Sequence, residues 1–266
     1  MKVYAGFISE QLNEIANSPE LKDKPITLFY DYPVRDITQL QENPYNILFI
    51  QEPNQLFGFH DWAVQNHHHF DVVCTWSDPI LSCSSHSYLF PFGAGNVSFI
   101  DPSCPYHNGK KFEVSFLCGN KKLIEGHFLR HNIFEAQEKI TIPKHFIYTA
   151  PWDGGKDRCW ESMYHIAIEN SRNKNFFTEK IVDAFLTKTI PIYWGCPNID
   201  EFFNTDGIIT FNNVDELTTI LNNLTYEFYE SKKDIIEENY NKAKQYADFV
   251  KRIKEFLEEI CKLNNI

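Results

Sequence analysis

The run His165-Ile166-Ala167-Ile168-Glu169-Asn170-Ser171, then Arg172-Asn173-Lys174-Asn175, then Phe176-Phe177-Thr178-Glu179-Lys180-Ile181-Val182-Asp183-Ala184-Phe185-Leu186 decides the fold. An apolar stretch ends in polar residues, a polar loop follows, and Thr178 stands as N-cap before a helix-like segment. This reads as strand, loop and helix start. In such a unit the free N–H groups of the first helical turn and the positive end of the helix dipole face the loop, an arrangement suited to an anion. Lys180 in the first turn is disfavoured by that dipole, and a diphosphate would reverse the penalty. Glu179 is placed to accept hydrogen bonds from ribose or sugar hydroxyls. Spacing alone leaves open that both are ordinary solvated first-turn charges.

Outward from this unit, short apolar runs alternate with helix-like stretches. Strands are expected over 3–8, 26–30, 46–50, 72–76 and 88–92, then over 114–118, 146–148, 165–168, 190–194 and 208–211. Helices are expected over 9–18, 122–138, 178–187 and 214–224, with one long helix across 227–262. That last segment carries Ile236, Tyr240, Ala243, Ala247, Val250 and Leu257 at helical spacing and reads as a packing helix. The alternation predicts an α/β protein with parallel sheets wrapped by helices. Pro102, Pro105, Asn108 and Gly109 supply linker chemistry. The expected division is therefore into Rossmann-like units 1–107 and 108–266 facing a cleft, with ligands at the carboxyl ends of the strands.

Charge supports a division. The net charge of −11 over 266 residues disfavours nucleic acid as a partner. Residues 1–107 carry 4 basic and 12 acidic side chains, residues 108–180 carry 12 and 9, and residues 181–266 carry 9 and 15. A locally basic middle suits a phosphate-bearing small ligand. Seven cysteines, none in Cys-x-x-Cys spacing, argue against a zinc site or disulfide framework and fit a reducing compartment. No signal peptide and no apolar run near the roughly 18 residues of a membrane span is visible, so a soluble, cytoplasmic chain is expected. His67-His68-His69 cannot all point at one ion from a regular helix or strand and reads as a loop. Trp152-Asp153-Gly154-Gly155-Lys156-Asp157 reads as a turn placed to close over a ligand.

Glu169-Asn170-Ser171, Phe176-Phe177-Thr178-Glu179-Lys180 and Thr189-Ile190-Pro191-Ile192-Tyr193-Trp194-Gly195, continuing through Phe202-Phe203 and Gly207-Ile208-Ile209, closely resemble the donor-binding signature of the α1,3/4-fucosyltransferase family, glycosyltransferase family 10. The resemblance implies the GT-B fold, with an N-terminal acceptor domain and a C-terminal donor domain. It implies inverting, metal-independent transfer of L-fucose from GDP-fucose to a hydroxyl of an oligosaccharide or glycoconjugate, with α1,3 linkage. It also implies that Glu179 binds the ribose, that Lys180 binds the diphosphate, and that Glu169 and Asn170 line the donor pocket beside Phe176 and Thr178. Many members have Tyr-Val or Phe-Val where this chain has Phe176-Phe177, so a tyrosine hydroxyl that touches phosphate is absent. Arg130, in Phe128-Leu129-Arg130-His131-Asn132, lies at a position similar to the family's phosphate-binding arginine, with Asn120 and Lys122 nearby. An arginine there would neutralise the departing diphosphate.

Inversion by direct displacement needs a carboxylate to take the acceptor's proton. Glu52, in Ile50-Gln51-Glu52-Pro53-Asn54 just past a strand, is the chosen base, and Glu52-Pro53 resembles the Glu-Ser-Pro of animal members. Asp31 and Asp61 compete and read as loop carboxylates. Two alternatives stay open: another nucleotide sugar as donor, or a non-catalytic nucleotide- or glycan-binding protein.

Overall fold

The computed structural model describes residues 1–6, 8–32, 34, 39–40, 43–149 and 156–266. Phe7 of the first expected strand, and Trp152, Asp153, Gly154 and Gly155 of the expected closing turn, lie outside the described residues. Among the described residues ten strands form, each on or beside a run expected from its apolar, β-branched character: β1 (Lys2–Ala5), β2 (Ile26–Tyr30), β3 (Tyr45–Ile50), β4 (Val72–Thr75), β5 (Ser87–Leu89), β6 (Lys111–Gly119), β7 (Lys144–Thr149), β8 (Ser162–Ile168), β9 (Ile190–Trp194) and β10 (Ile209–Thr210). The helices are α1 (Ser9–Ala16), α2 (Asn54–Phe57), α3 (Phe59–Asn66), α4 (Asp78–Cys83), α5 (Glu125–Glu135), α6 (Glu179–Leu186), α7 (Val214–Asn222), α8 (Tyr226–Ser231), α9 (Lys233–Ala247) and α10 (Phe249–Asn264). His67-His68-His69 forms one turn of 3-10 helix. Among the described residues no helix is long and apolar enough to cross a membrane.

The strands make two all-parallel sheets, ordered β1-β2-β3-β4-β5 and β10-β9-β8-β6-β7. The chain divides into one compact unit of Met1–Phe92 with Phe249–Ile266 and another of Gly93–Asp248. This differs from the expected boundary at 107/108 in two places. Residues 93–107 are packed and do not act as a linker. Gly93 N–H donates to the Phe177 carbonyl at 2.9 Å, and Asn96 N–H donates to Asp183 Oδ1 at 2.7 Å. His107 Nε2 meets the Phe99 and Leu186 carbonyls at 2.8 and 2.9 Å, and Phe99 and Cys104 join the core around α6.

The second difference is the long C-terminal helix, which is three helices. Asp248, with ψ of 85°, interrupts it after Ala247. The buried stripe explains the break. Ile236, Tyr240, Ala243 and Ala247 keep one helical phase, and Phe249, Ile253, Leu257 and Ile260 start another. Two apolar faces serve two cores, and a single straight helix cannot present both.

In the first unit, successive side chains of β2 and β3 alternate between faces. Phe29, Leu48 and Ile50 pack with Ala63 of α3 and Ile80 of α4. The opposite face carries Tyr30 and Phe49, which meet α10: the Tyr30–Phe249 and Phe49–Phe256 ring centroids are 6.1 and 5.9 Å apart. Arg252 of α10 donates to the Pro91 and Phe92 carbonyls at 2.9 and 3.1 Å and lies 4.7 Å over the Phe90 ring. In the second unit, Phe116, Ile166, Ile168 and Ile192 pack with Ile133 of α5 and Leu217 of α7. Ala167 and Tyr193, on the other face, pack with Ile181, Val182 and Phe185 of α6 and Ala243 of α9.

The two strand orders differ in one consequential way. In the first sheet, order follows sequence without reversal. In the second, the order turns back between β6 and β8, which makes that gap the topological switch point where ligands of open α/β sheets bind.

Phe249 is 8% exposed and holds α10 on its sheet. Phe249→Ala is expected to destabilise the first unit by about 3–5 kcal/mol in urea denaturation, the cost of emptying an aromatic site. A loss under about 1 kcal/mol would contradict this role for α10.

Candidate functional site

The second unit's site is framed by one buried carboxylate. Glu169 follows β8, and its side chain is fully buried. Its Oε1 accepts the Thr178 N–H at 2.8 Å and its Oε2 accepts the Thr178 hydroxyl at 2.7 Å. Having donated to Glu169, Thr178 Oγ1 has lone pairs left for the Lys180 N–H at 3.4 Å and the Lys180 ammonium at 2.9 Å. Lys180 Nζ also lies 3.7 Å from Glu169 Oε2 and 3.0 Å from Glu179 Oε1. Burial raises the Glu169 pKa, with the Lys180 charge opposing and the Glu179 charge adding to the rise. Thr178 is thus both N-cap of α6 and the clasp that closes the loop 169–178 on itself.

Two glycines record how tightly this frame is built. A Cβ on Gly195 would stand 2.3 Å from the Tyr193 hydroxyl and 2.5 Å from Glu169 Cγ. A Cβ on Gly126 would stand 1.9 Å from the Glu169 carbonyl oxygen. Gly126 N–H donates to the Asn170 carbonyl at 3.1 Å, so the start of α5 rests directly on residues 169–170.

Above the frame, at the carboxyl ends of β6 and β8, lies a cavity of about 240 Å³. Among the described residues three cations line it: Lys121, Arg130 and Lys180. Arg130, on α5, donates to the Ile168 carbonyl and, at 3.0 Å, to Asn170 Oδ1. The convergence of charge registers on His127, also in the wall, whose pKa is pushed down to about 4 by burial and then by Arg130, Lys121 and Lys180. Glu179 and Asp183 of α6 add carboxylates to the lining, and the buried Trp160 and His165 form another part of the wall. A site with this make-up can hold a polyanion at the strand ends and a hydrogen-bonding ring system beside that wall.

Of the residues expected from sequence, Arg130, Asn170, Glu179 and Lys180 meet in this cavity. Glu169, Phe176 and Thr178 are buried in its frame and are not among its lining residues. Asn120 is exposed and off the lining, while its neighbour Lys121 is on it. Lys121, His127, Trp160 and His165 were not expected. Only His165 carried a signal, as the one polar residue inside an apolar strand run.

Glu52 belongs to the first unit, two residues past β3. Its backbone is pinned from two sides: its N–H donates to Asp31 Oδ1 at 3.2 Å, and His60 Nε2 donates to its carbonyl at 2.8 Å. Asp31 Oδ1 also accepts the Gln51 N–H at 2.8 Å, and Trp76 Nε1 donates to the Gln51 carbonyl at 2.6 Å. Asp31 is more than a loop carboxylate. It is 2% exposed, sits in left-handed conformation at φ 43°, and its buried Oδ2 has no hydrogen-bond partner among the described residues. Burial, with the Glu52 charge adding to it, raises its pKa to about 7. Asp61 lies exposed on α3. Among the described residues no group of three or more His, Cys, Asp or Glu is arranged to hold a metal ion.

Comparison with known proteins gives matches in sequence and in fold. Residues 154–263 match the family model "Glycosyltransferase family 10 (fucosyltransferase) C-term". Alpha-(1,3)-fucosyltransferase FucT of Helicobacter pylori is 39% identical over 56 residues, a match spanning 20% of this chain and 12% of that protein. A crystal structure of an α1,3-fucosyltransferase superposes with a TM-score of 0.59 at 17% identity, covering 96% of this chain and 90% of that one. A crystal structure of α1,3-fucosyltransferase with GDP-fucose superposes with a TM-score of 0.56 at 17% identity, covering 95% and 89%. These likenesses and the two parallel sheets show a fold of the GT-B type.

The Asp31 carboxyl gives a pH signature. Its folded pKa of about 7 exceeds the ordinary 3.8, so its contribution to stability is present below pH 4 and is lost as pH rises towards 7. Asp31→Asn keeps an acceptor for the Gln51 and Glu52 N–H groups and tolerates positive φ. Relative to wild type it is expected to gain on the order of 2–4 kcal/mol between pH 4.5 and pH 8, read by urea denaturation. An unchanged difference between the two pH values would show that Asp31 does not titrate as described.

Proposed function

We propose that this chain, whose residues 154–263 match the glycosyltransferase family 10 model, is a member of that family and transfers L-fucose from GDP-fucose to a hydroxyl of an oligosaccharide or glycoconjugate with inversion and α1,3 linkage. The observation that carries the reading is the cavity at the β6/β8 switch point, lined by Lys121, Arg130 and Lys180 beside the start of α6. Displacement of the nucleotide leaves negative charge on the diphosphate. Preorganised cations in a partly buried site stabilise that charge as it develops. Arg130 is held for this by the Ile168 carbonyl and Asn170, and Lys180 by Thr178 and Glu179. No hydroxyl is available at Phe176, so the phosphate contact falls to the cations. Glu179 accepts from the ribose hydroxyls, and Glu169, Thr178 and Phe176 keep the loop in shape behind them. In this reading side chains meet the leaving-group charge and no metal is required.

The first unit is read as the acceptor side and the second as the donor side. Glu52 takes the acceptor proton, with Asp31 and His60 fixing its backbone. A reducing compartment such as the cytoplasm is supported by seven cysteines that form no disulfide.

Incubation with GDP-fucose and an oligosaccharide is expected to release GDP and yield a fucosylated product. Glu52→Gln should abolish transfer and leave GDP binding intact. Near-normal turnover by that variant would remove Glu52 as base. Lys180→Ala is expected to weaken GDP binding about 10- to 100-fold in calorimetry, the loss of a charge-assisted contact. Tight binding of UDP without binding of GDP would overturn the choice of donor.

A further inference from the structure

His165 lines the cavity from β8, three residues before Ile168. At the strand rise this is about 10 Å from the carbonyl that anchors Arg130, the reach of a nucleoside from its own diphosphate. The ring is buried, and its centroid lies 4.9 Å from that of Trp160, also on the cavity wall. Its only hydrogen-bond partner among the described residues is Ser115, whose Oγ lies 2.8 Å from His165 Nδ1.

That partner determines the tautomer. Ser115 Oγ also lies 2.8 Å from the Cys159 carbonyl and 3.3 Å from the Tyr164 carbonyl. Carbonyls only accept, so the single hydroxyl proton goes to them, with Cys159 nearest. The hydroxyl oxygen is then left to accept, and Nδ1 of His165 must be the donor. Nε2 is therefore an unprotonated acceptor at the cavity wall, with no donor to fill it among the described residues. Burial and the Lys110 charge push the imidazole pKa down to about 3, so the ring stays neutral.

We propose that His165 Nε2 accepts a hydrogen bond from a ring or exocyclic N–H of the donor's nucleobase, which packs beside Trp160, making His165 a specificity residue for the base. The inference rests on the nucleotide reading of the cavity and assigns the end of it that the cations do not explain.

The test is calorimetry on the full chain with two probes, GDP and the base-free ribose 5-diphosphate. His165→Phe is expected to weaken GDP about tenfold and leave ribose 5-diphosphate unchanged. An unchanged GDP affinity, or an equal loss for both probes, would overturn the proposal. Imidazole ¹⁵N NMR of the wild-type chain is independent of whether the variant folds. It should show a protonated Nδ1 and a bare Nε2 whose resonance moves upfield when GDP is added but not with ribose 5-diphosphate. A protonated Nε2, or no GDP-specific shift, would equally overturn it. Failure of the nucleotide reading is a separate result: neither probe binds the wild type, and the role of His165 falls with it.

Discussion

The second unit depends on the Glu169 carboxylate. It is fully buried, and its two oxygens are taken up by the Thr178 N–H and hydroxyl, with Lys180 as the nearby cation. A buried charge is tolerated only when its partners stay in place, so this one interaction fixes the loop 169–178, the N-cap of α6 and the position of Lys180 together. The surrounding sequence is shaped to it. Gly195 leaves room for the side chain, Gly126 lets α5 rest against its backbone, and Tyr193 places a hydroxyl 3.5 Å from Oε1. Glu169 stands behind the cavity and holds Lys180 in place through Thr178, while Arg130 is held by the neighbouring Ile168 carbonyl and Asn170.

Topology then decides where the cavity opens. Reversal of strand order between β6 and β8 opens the second sheet, and α5 and α6 begin on either side of that opening. Both helix starts and all three cations therefore face one small volume. The first sheet, wound without reversal, offers no such opening. Its chemistry is concentrated in the turn after β3, where Asp31 pins the backbone of Gln51 and Glu52.

Much of this was legible in the sequence. The ten strands were, because apolar runs of β-branched and aromatic residues in a parallel sheet need only local pattern. Thr178, Glu179 and Lys180 were, because a cap and first-turn charges are local features. Lys121 and His165 escaped because a cavity gathers residues far apart in the chain. The fate of Asp31 depended on burial and on backbone donors twenty residues away. The break at Asp248 lacks a proline or glycine to mark it and shows only as a phase change in the apolar stripe. Residues 93–107 have linker composition yet are packed, since His107 and Asn96 find partners on α6.

A crystal structure of the chain with GDP bound tests the central assignment most directly. The diphosphate is expected among Lys121, Arg130 and Lys180 at the ends of β6 and β8, with the ribose at Glu179 and the base against Trp160 and His165. Nucleotide density elsewhere on the chain, with that cavity empty, would contradict it.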